Sequence, residues 1–133
     1  MSSRPSAGSP PEYFLDRSLG KHTAAQLQDL GWRIHLIADF YPDDAQAITD
    51  VEWINDGLSR GWGLLTKDQR IRYRSHERGA AMGGALFMLS NGNLRIPEMV
   101  ERFHRAKREI DDIVAAGKTG LWVVYADRIH LAV

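Results

Sequence analysis

The sequence predicts an α/β domain of three layers, α/β/α, with a mostly parallel central sheet and a C-terminal hairpin. Three observations carry that reading. Short apolar runs of strand length alternate with runs of helical periodicity, the pattern of parallel strands joined by right-handed helical crossovers. Glycines follow the helical runs at Gly31, Gly61 and Gly117, where helices terminate. Two apolar runs near the C-terminus flank Asp127-Arg128, as in a hairpin.

The elements follow in order. Glu12 to Asp16 reads as a strand ending in an acid, and Arg17 to Lys21 as a loop turning at Gly20. Thr23 to Leu30 has Ala24, Leu27 and Leu30 on one face and reads as a helix. Trp32 to Ile37 is the second strand, and Pro42-Asp43-Asp44 marks a loop. Thr49 with Glu52 three residues later forms a capping box, opening a helix from Asp50 to about Arg60. Trp62 to Thr66 is the third strand, just before Asp68. Ile71 to Ala81 reads as a helix broken by Gly83-Gly84, and Ala85 to Leu89 as the fourth strand. Pro97 opens the clearest helix, in which Ile96, Met99, Val100, Phe103, Ile110, Ile113 and Val114 recur at helical spacing. Leu121 to Tyr125 and Ile129 to Val133 make the hairpin.

Length and composition narrow the function classes. The 133 residues suit one domain, read here as residues 12–133. Met1 to Pro11 is rich in Ser, Pro and Gly without an apolar core, which reads as a disordered lead-in rather than a signal peptide. No cysteine is present, so disulfides and thiolate metal sites are excluded, and a reducing cytoplasm is the expected compartment. No apolar run approaches the ~20 residues that span a bilayer. Seventeen basic residues balance seventeen acidic ones, so nucleic acid is not bound by bulk charge.

The chemistry is expected at the carboxyl ends of the strands, where open α/β sheets bind ligands. Asp16 and Asp68 both lie just past strand ends. A third acid should reach that edge on a helix N-terminus. At about 100° per residue, Asp50 shares its direction with Trp53, Ile54, Gly57 and Leu58, the buried face, while Glu52 falls opposite with Asp56. Asp50 is therefore the inward acid, and Glu52 is a capping partner and a second choice as ligand. An Asp after a strand is often only a cap or turn residue. Three carboxylates on one edge, however, repel one another and are best kept charged by a cation. Mg²⁺ or Mn²⁺ is favoured, since both take oxygen ligands, and such a metal suits phosphoryl chemistry.

A basic patch flanks these acids. Lys67, Arg70, Arg72, Arg74 and Arg78 surround Asp68, and Arg17 and Lys21 follow Asp16. Beside an acidic metal site, such cations would hold a polyanionic backbone, and Tyr73 or Trp32 could stack a base. The five histidines show no HxH or HxxxH spacing and read as structural or surface residues. Phe87 and Met88 read as core. Nucleotide-cofactor motifs and a serine nucleophile elbow are absent.

Three segments carry a family resemblance: Phe14-Leu15-Asp16-Arg17-Ser18-Leu19-Gly20, Thr49-Asp50-Val51-Glu52-Trp53-Ile54, and Gly61 through Arg72 with its Leu65-Thr66-Lys67-Asp68 core. They resemble the PIN-like domains, in particular the small bacterial branch that includes VapC-like toxin ribonucleases. The resemblance implies a Mg²⁺- or Mn²⁺-dependent endoribonuclease acting on RNA, often the toxin of a toxin–antitoxin pair. It implies a cognate antitoxin and a homodimer, for which Trp32 and Trp53 offer apolar surface. Asp16, Asp50 and Asp68 match the family's metal-binding acids. Gln69 and Arg70 stand where a fourth acid would follow, which points to one metal or a weakened activity. A PIN-like domain kept as an RNA- or protein-binding module is the alternative. A phosphoacceptor receiver fits less well, because Asp16 is alone at the end of the first strand.

Overall fold

The computed structural model describes residues 10–41, 50–72 and 83–132. Six strands form one sheet: β1 (Glu12–Leu15), β2 (Arg33–Leu36), β3 (Gly63–Thr66), β4 (Ala85–Leu89), β5 (Gly120–Val124) and β6 (Ile129–Leu131). Their order is β2-β1-β3-β4-β5-β6, parallel throughout except that β6 returns antiparallel to β5. The described helices are α1 (Lys21–Asp29), α2 (Asp50–Ser59), α3 (Ile96–Arg105) and α4 (Lys107–Ala115). The α/β/α architecture and the terminal hairpin are as the sequence predicts.

Period-two alternation sorts the strand side chains between two cores. Tyr13, Leu15, Leu65, Phe87 and Leu89 face α1, α3 and α4. Phe14, Leu64, Leu86, Met88 and Val123 face the layer of α2, where Trp53 and Ile54 meet them. β4 is buried at every position, as a central strand covered on both faces must be. Gly57 lets α2 approach closely. A Cβ there would lie 2.5 Å from Leu64 Cδ2 and 2.8 Å from Phe14 Cδ2.

Four expectations need correction. The segment after β1 is not an open loop: Arg17–Leu19 forms a 3₁₀ turn and α1 begins at Lys21. Gly20 joins them at φ +83°, a region that a Cβ disfavours. The long C-terminal helix is two helices, α3 and α4. The backbone ladder tightens at Ala106, whose N–H bonds to Phe103 O at 3.1 Å, and the apolar stripe carries on through the break. Trp32 and Trp53 are 3% and 2% exposed, so neither supplies dimer surface. Trp32 cannot stack a base either, since its ring lies between Tyr13 and Phe103 and its Nε1–H donates to His104 Nδ1.

The lead-in as far as residue 9, the Pro42-Asp43-Asp44 loop, the Thr49 cap and residues 73–81 of the expected helix lie outside the described residues. The start of that last segment is described: Gln69–Arg72 is a 3₁₀ turn.

Candidate functional site

The strand order places a switch point between β1 and β3. From β1 the chain passes to β2 on one side, then crosses to β3 on the other. In open α/β sheets, ligands bind outside the carboxyl ends of the strands at such a point. Asp16 follows β1 by one residue and Asp68 follows β3 by two, so both acids stand at that edge of the sheet.

Thr66, the last residue of β3, joins them. Its Oγ1 donates to Asp16 Oδ2 at 2.7 Å and accepts the backbone N–H of Asp68 at 3.0 Å. Ser18 Oγ donates to the same Asp16 oxygen at 2.6 Å. The backbone supports the link: Asp16 N–H donates to Leu65 O at 2.9 Å, extending the β1–β3 ladder. Asp16 is only 7% exposed, and a buried carboxylate needs such hydroxyl partners to offset lost hydration. Thr66 is fully buried.

Asp68 is turned by its own chain. Its Oδ1 accepts the N–H of Arg70 at 3.0 Å, the side-chain turn characteristic of Asp two residues back. The Arg70 guanidinium then closes on both oxygens, Nε on Oδ1 at 3.0 Å and Nη2 on Oδ2 at 3.1 Å. The side chain of Asp68 is 13% exposed and that of Arg70 is 71% exposed. Next to them, the Gln69 side-chain amide donates to Ser90 O at the end of β4. Arg102 Nη1 reaches Ser90 Oγ at 3.2 Å.

The remaining expected residues distribute as follows. Asp50 opens α2 in the helix's first turn, but its side chain lies outside the described part, as does that of Arg72. Arg74 and Arg78 lie outside the described residues altogether. Glu52 is exposed on the side of α2 opposite Trp53 and Ile54, the helical phase expected of it. Arg17 and Lys21 are exposed at the rim beside Asp16, and Lys67 is half-buried at the end of β3. Ser18, Thr66 and the Arg70 clamp are contributors that residue types alone did not reveal. A signal existed for two of them. A strand-final Thr two residues before an Asp, and that Asp two residues before an Arg, are spacings at which side chains cap backbone N–H groups.

Among the described residues no group of three or more His, Cys, Asp or Glu is placed to hold a metal ion. The described donors at the switch point are the carboxylates of Asp16 and Asp68. Oxygen-only donors suit a hard cation such as Mg²⁺ or Mn²⁺ and not a thiolate- or imidazole-seeking one. Hydroxyl groups that fix a carboxylate's orientation are the outer-shell support such ligands use. The donor set thus fits a hard divalent cation in kind.

A family model described as a PIN-like domain matches residues 11–91, more than half of the chain. The match spans β1 through β4 and includes both acids, Thr66 and Arg70. No curated protein and no solved structure matches the chain.

Proposed function

The chain belongs to the PIN-like domain family, whose fold is of nuclease type, and on that premise we propose that it is a metal-dependent endoribonuclease of the VapC-like toxin branch. It would act in the cytoplasm as the toxin of a toxin–antitoxin pair. The observation that supports this most is the Asp16–Thr66–Asp68 bridge at the switch point of a parallel sheet.

Asp16 and Asp68 would hold Mg²⁺ or Mn²⁺, joined by Asp50 from the α2 N-terminus, with Glu52 the second choice. When bound, the cation supplies an activated water and offsets charge on the phosphate oxygens. The chain's own groups do the rest. Ser18 and Thr66 hold the Asp16 carboxylate in place. Arg17, Lys21, Lys67, Arg70, Arg72 and Arg74 hold the RNA backbone, a task that exposed cations serve without reading sequence.

Purified chain with Mn²⁺ should cleave a labelled single-stranded RNA, and chelation should stop it. Asp68→Asn should cut the rate about a thousandfold, the scale of a lost metal contribution of several kcal/mol. Cleavage by that variant at the wild-type rate would overturn the assignment. The toxin role has its own readout: expression should arrest growth, and co-expressing the product of a neighbouring small reading frame should relieve it.

A second reading has an observation in its favour. Arg70 occupies both oxygens of Asp68, and Gln69 is engaged with Ser90. A PIN-like domain that has given up catalysis and binds RNA or protein would look this way. Magnitude weighs against it, because ion pairs with an exposed partner contribute only about 0.2–1 kcal/mol. A divalent cation would displace Arg70 at a cost of at most about fivefold in affinity. Arg70→Ala should therefore raise Mn²⁺ affinity by up to that factor in calorimetry. No Mn²⁺ heat from either protein at millimolar metal would establish the binding-module reading.

A further inference from the structure

A cavity of about 480 Å³ opens beside Asp16 on the side away from Asp68. It sits between the carboxyl ends of β1 and β2, and among the described residues it is lined by Leu15, Leu36 and Ile37 together with Asp16, Arg17 and Lys21. Its volume falls within the ~300–1,000 Å³ of small-ligand sites. The two kinds of lining are separated. Leu15 and Ile37 are almost fully buried and Leu36 is half-buried, so the floor is aliphatic and held by the core. Arg17 and Lys21 are exposed, so the rim is cationic.

We propose that this cavity is a nucleotide subsite that takes one unpaired residue of the RNA strand next to the phosphate being cut. The aliphatic floor would receive the flat face of the base, and Arg17 and Lys21 the phosphate and ribose. An apolar bed beside two cations complements that ligand, since a nucleotide carries an apolar face and an anion together. The location fits as well. In the sheet, β1 stands between β2 and β3, so a strand whose reacting phosphate lies at Asp16 and Asp68 would place the adjoining nucleotide over β2. A base within a duplex is stacked and paired and cannot enter, so the subsite selects single-stranded RNA. An aliphatic floor offers contact without a hydrogen-bonding pattern, so this position should tolerate different bases.

This proposal rests on the ribonuclease reading, and its test is arranged so that the two can fail separately. The full chain, free of divalent metal and with labelled Ile and Leu methyls, is titrated with uridine 5′-monophosphate, adenosine 5′-monophosphate and ribose 5-phosphate. Both nucleotides should shift the Leu36 and Ile37 methyl resonances saturably. Ribose 5-phosphate, lacking the base, should leave those methyls unmoved. Lys21→Glu, an exposed change that disturbs no packing, should weaken nucleotide binding about tenfold. Leu36→Trp should fill the cavity and abolish the Ile37 methyl shift while its melting transition remains cooperative. If ribose 5-phosphate matches the nucleotides, or if the methyls do not respond, the subsite is wrong even when the protein cleaves RNA. If the methyls respond as expected but no metal yields cleavage, the subsite stands and the ribonuclease reading falls.

Discussion

The two ends of the parallel sheet are built on different terms. At the carboxyl end, polar side chains meet across strands: Thr66 with Asp16, Arg70 with Asp68, Gln69 with Ser90. At the amino end, glycines let apolar groups close up. A Cβ on Gly63 would sit 2.9 Å from both the Tyr13 ring and Val114 Cγ2, and one on Gly84 would sit 2.5 Å from Leu58 Cδ2. Gly120 N–H donates to Gly84 O at 2.7 Å across the first rung of β4 and β5. Helix direction adds to the contrast. α2 and α4 finish at the amino end, at Ser59 and Ala115, so their electron-rich C-termini lie there. A second cavity of about 260 Å³, bordered by Gly61, Gly63, Gly84 and Gly117, also lies at the amino end. It is a gap among close-packed backbone and holds no described acid. The difference teaches that one end gathers polar side chains that meet across strands, while the other closes apolar groups over glycines.

Substitutions can break that division or sharpen it. The largest expected effect is at the carboxyl end. Thr66→Val keeps the shape of a buried residue but removes the hydroxyl that orients Asp16 and caps Asp68. Loss of such outer-shell support typically costs about 10–100-fold in metal affinity or activity, so Mn²⁺ affinity and cleavage should both fall by that factor. Because the variant also leaves Asp16 with one hydroxyl fewer, a stability loss of about 1–3 kcal/mol should accompany it. Unchanged Mn²⁺ affinity would separate the bridge from the proposed metal site.

Gly57→Ala should show the opposite profile. Alanine is the better helix former by about 1 kcal/mol, yet its methyl would press on Leu64 and Phe14 in a fully buried core. Overpacking of this kind costs roughly 1–3 kcal/mol, so the net effect should be a lower melting temperature. Cleavage per folded molecule should stay at the wild-type level. A variant that melts higher would show that the α2 interface yields more readily than the contact distances imply.

How far the sequence was legible follows the same line between the two ends. Strand and helix order could be read because both cores impose regular periodicity, 2 along the strands and 3.6 along the helices. Asp16 and Asp68 stood out because both follow strands, and parallel strands deliver their last residues to one edge. The phase of α2 placed Glu52 outward, opposite Trp53 and Ile54. What stayed hidden depends on tertiary register. Thr66 meets Asp16 only because Tyr13, Phe14 and Leu15 pair with Gly63, Leu64 and Leu65, which brings residues fifty apart in sequence side by side. Arg70 reads as a free cation until the turn at Asp68 folds it back. Trp32 reads as a surface aromatic until Tyr13 and Phe103 enclose it. The break at Ala106 leaves no trace, since the apolar phase continues across it.

Tyr13 offers the smallest test, on a polar contact far from the carboxyl edge. Its hydroxyl donates to Asp111 Oδ1, and Lys107 Nζ holds the other oxygen of Asp111 at 2.6 Å. Tyr13→Phe removes one hydrogen bond and leaves Asp111 with its lysine, so the loss near neutral pH should be about 1 kcal/mol. The alkaline range gives a sharper signature. Burial first, then the hydrogen bond to Asp111 and its charge, push the Tyr13 phenol far above its ordinary value. The unfolded chain ionises this tyrosine near pH 10 while the folded chain keeps its proton. The stabilisation is therefore intact below about pH 10 and is lost as pH rises beyond it, at up to about 1.4 kcal/mol per pH unit. The phenylalanine variant lacks that loss, so the gap between the two stability curves should narrow between about pH 10 and 11. Parallel curves across that interval would mean that the hydroxyl is not held as described. Cleavage per folded molecule should not change, because the contact ties β1 to α4 at mid-strand and touches neither Asp16 nor the cavity beside it.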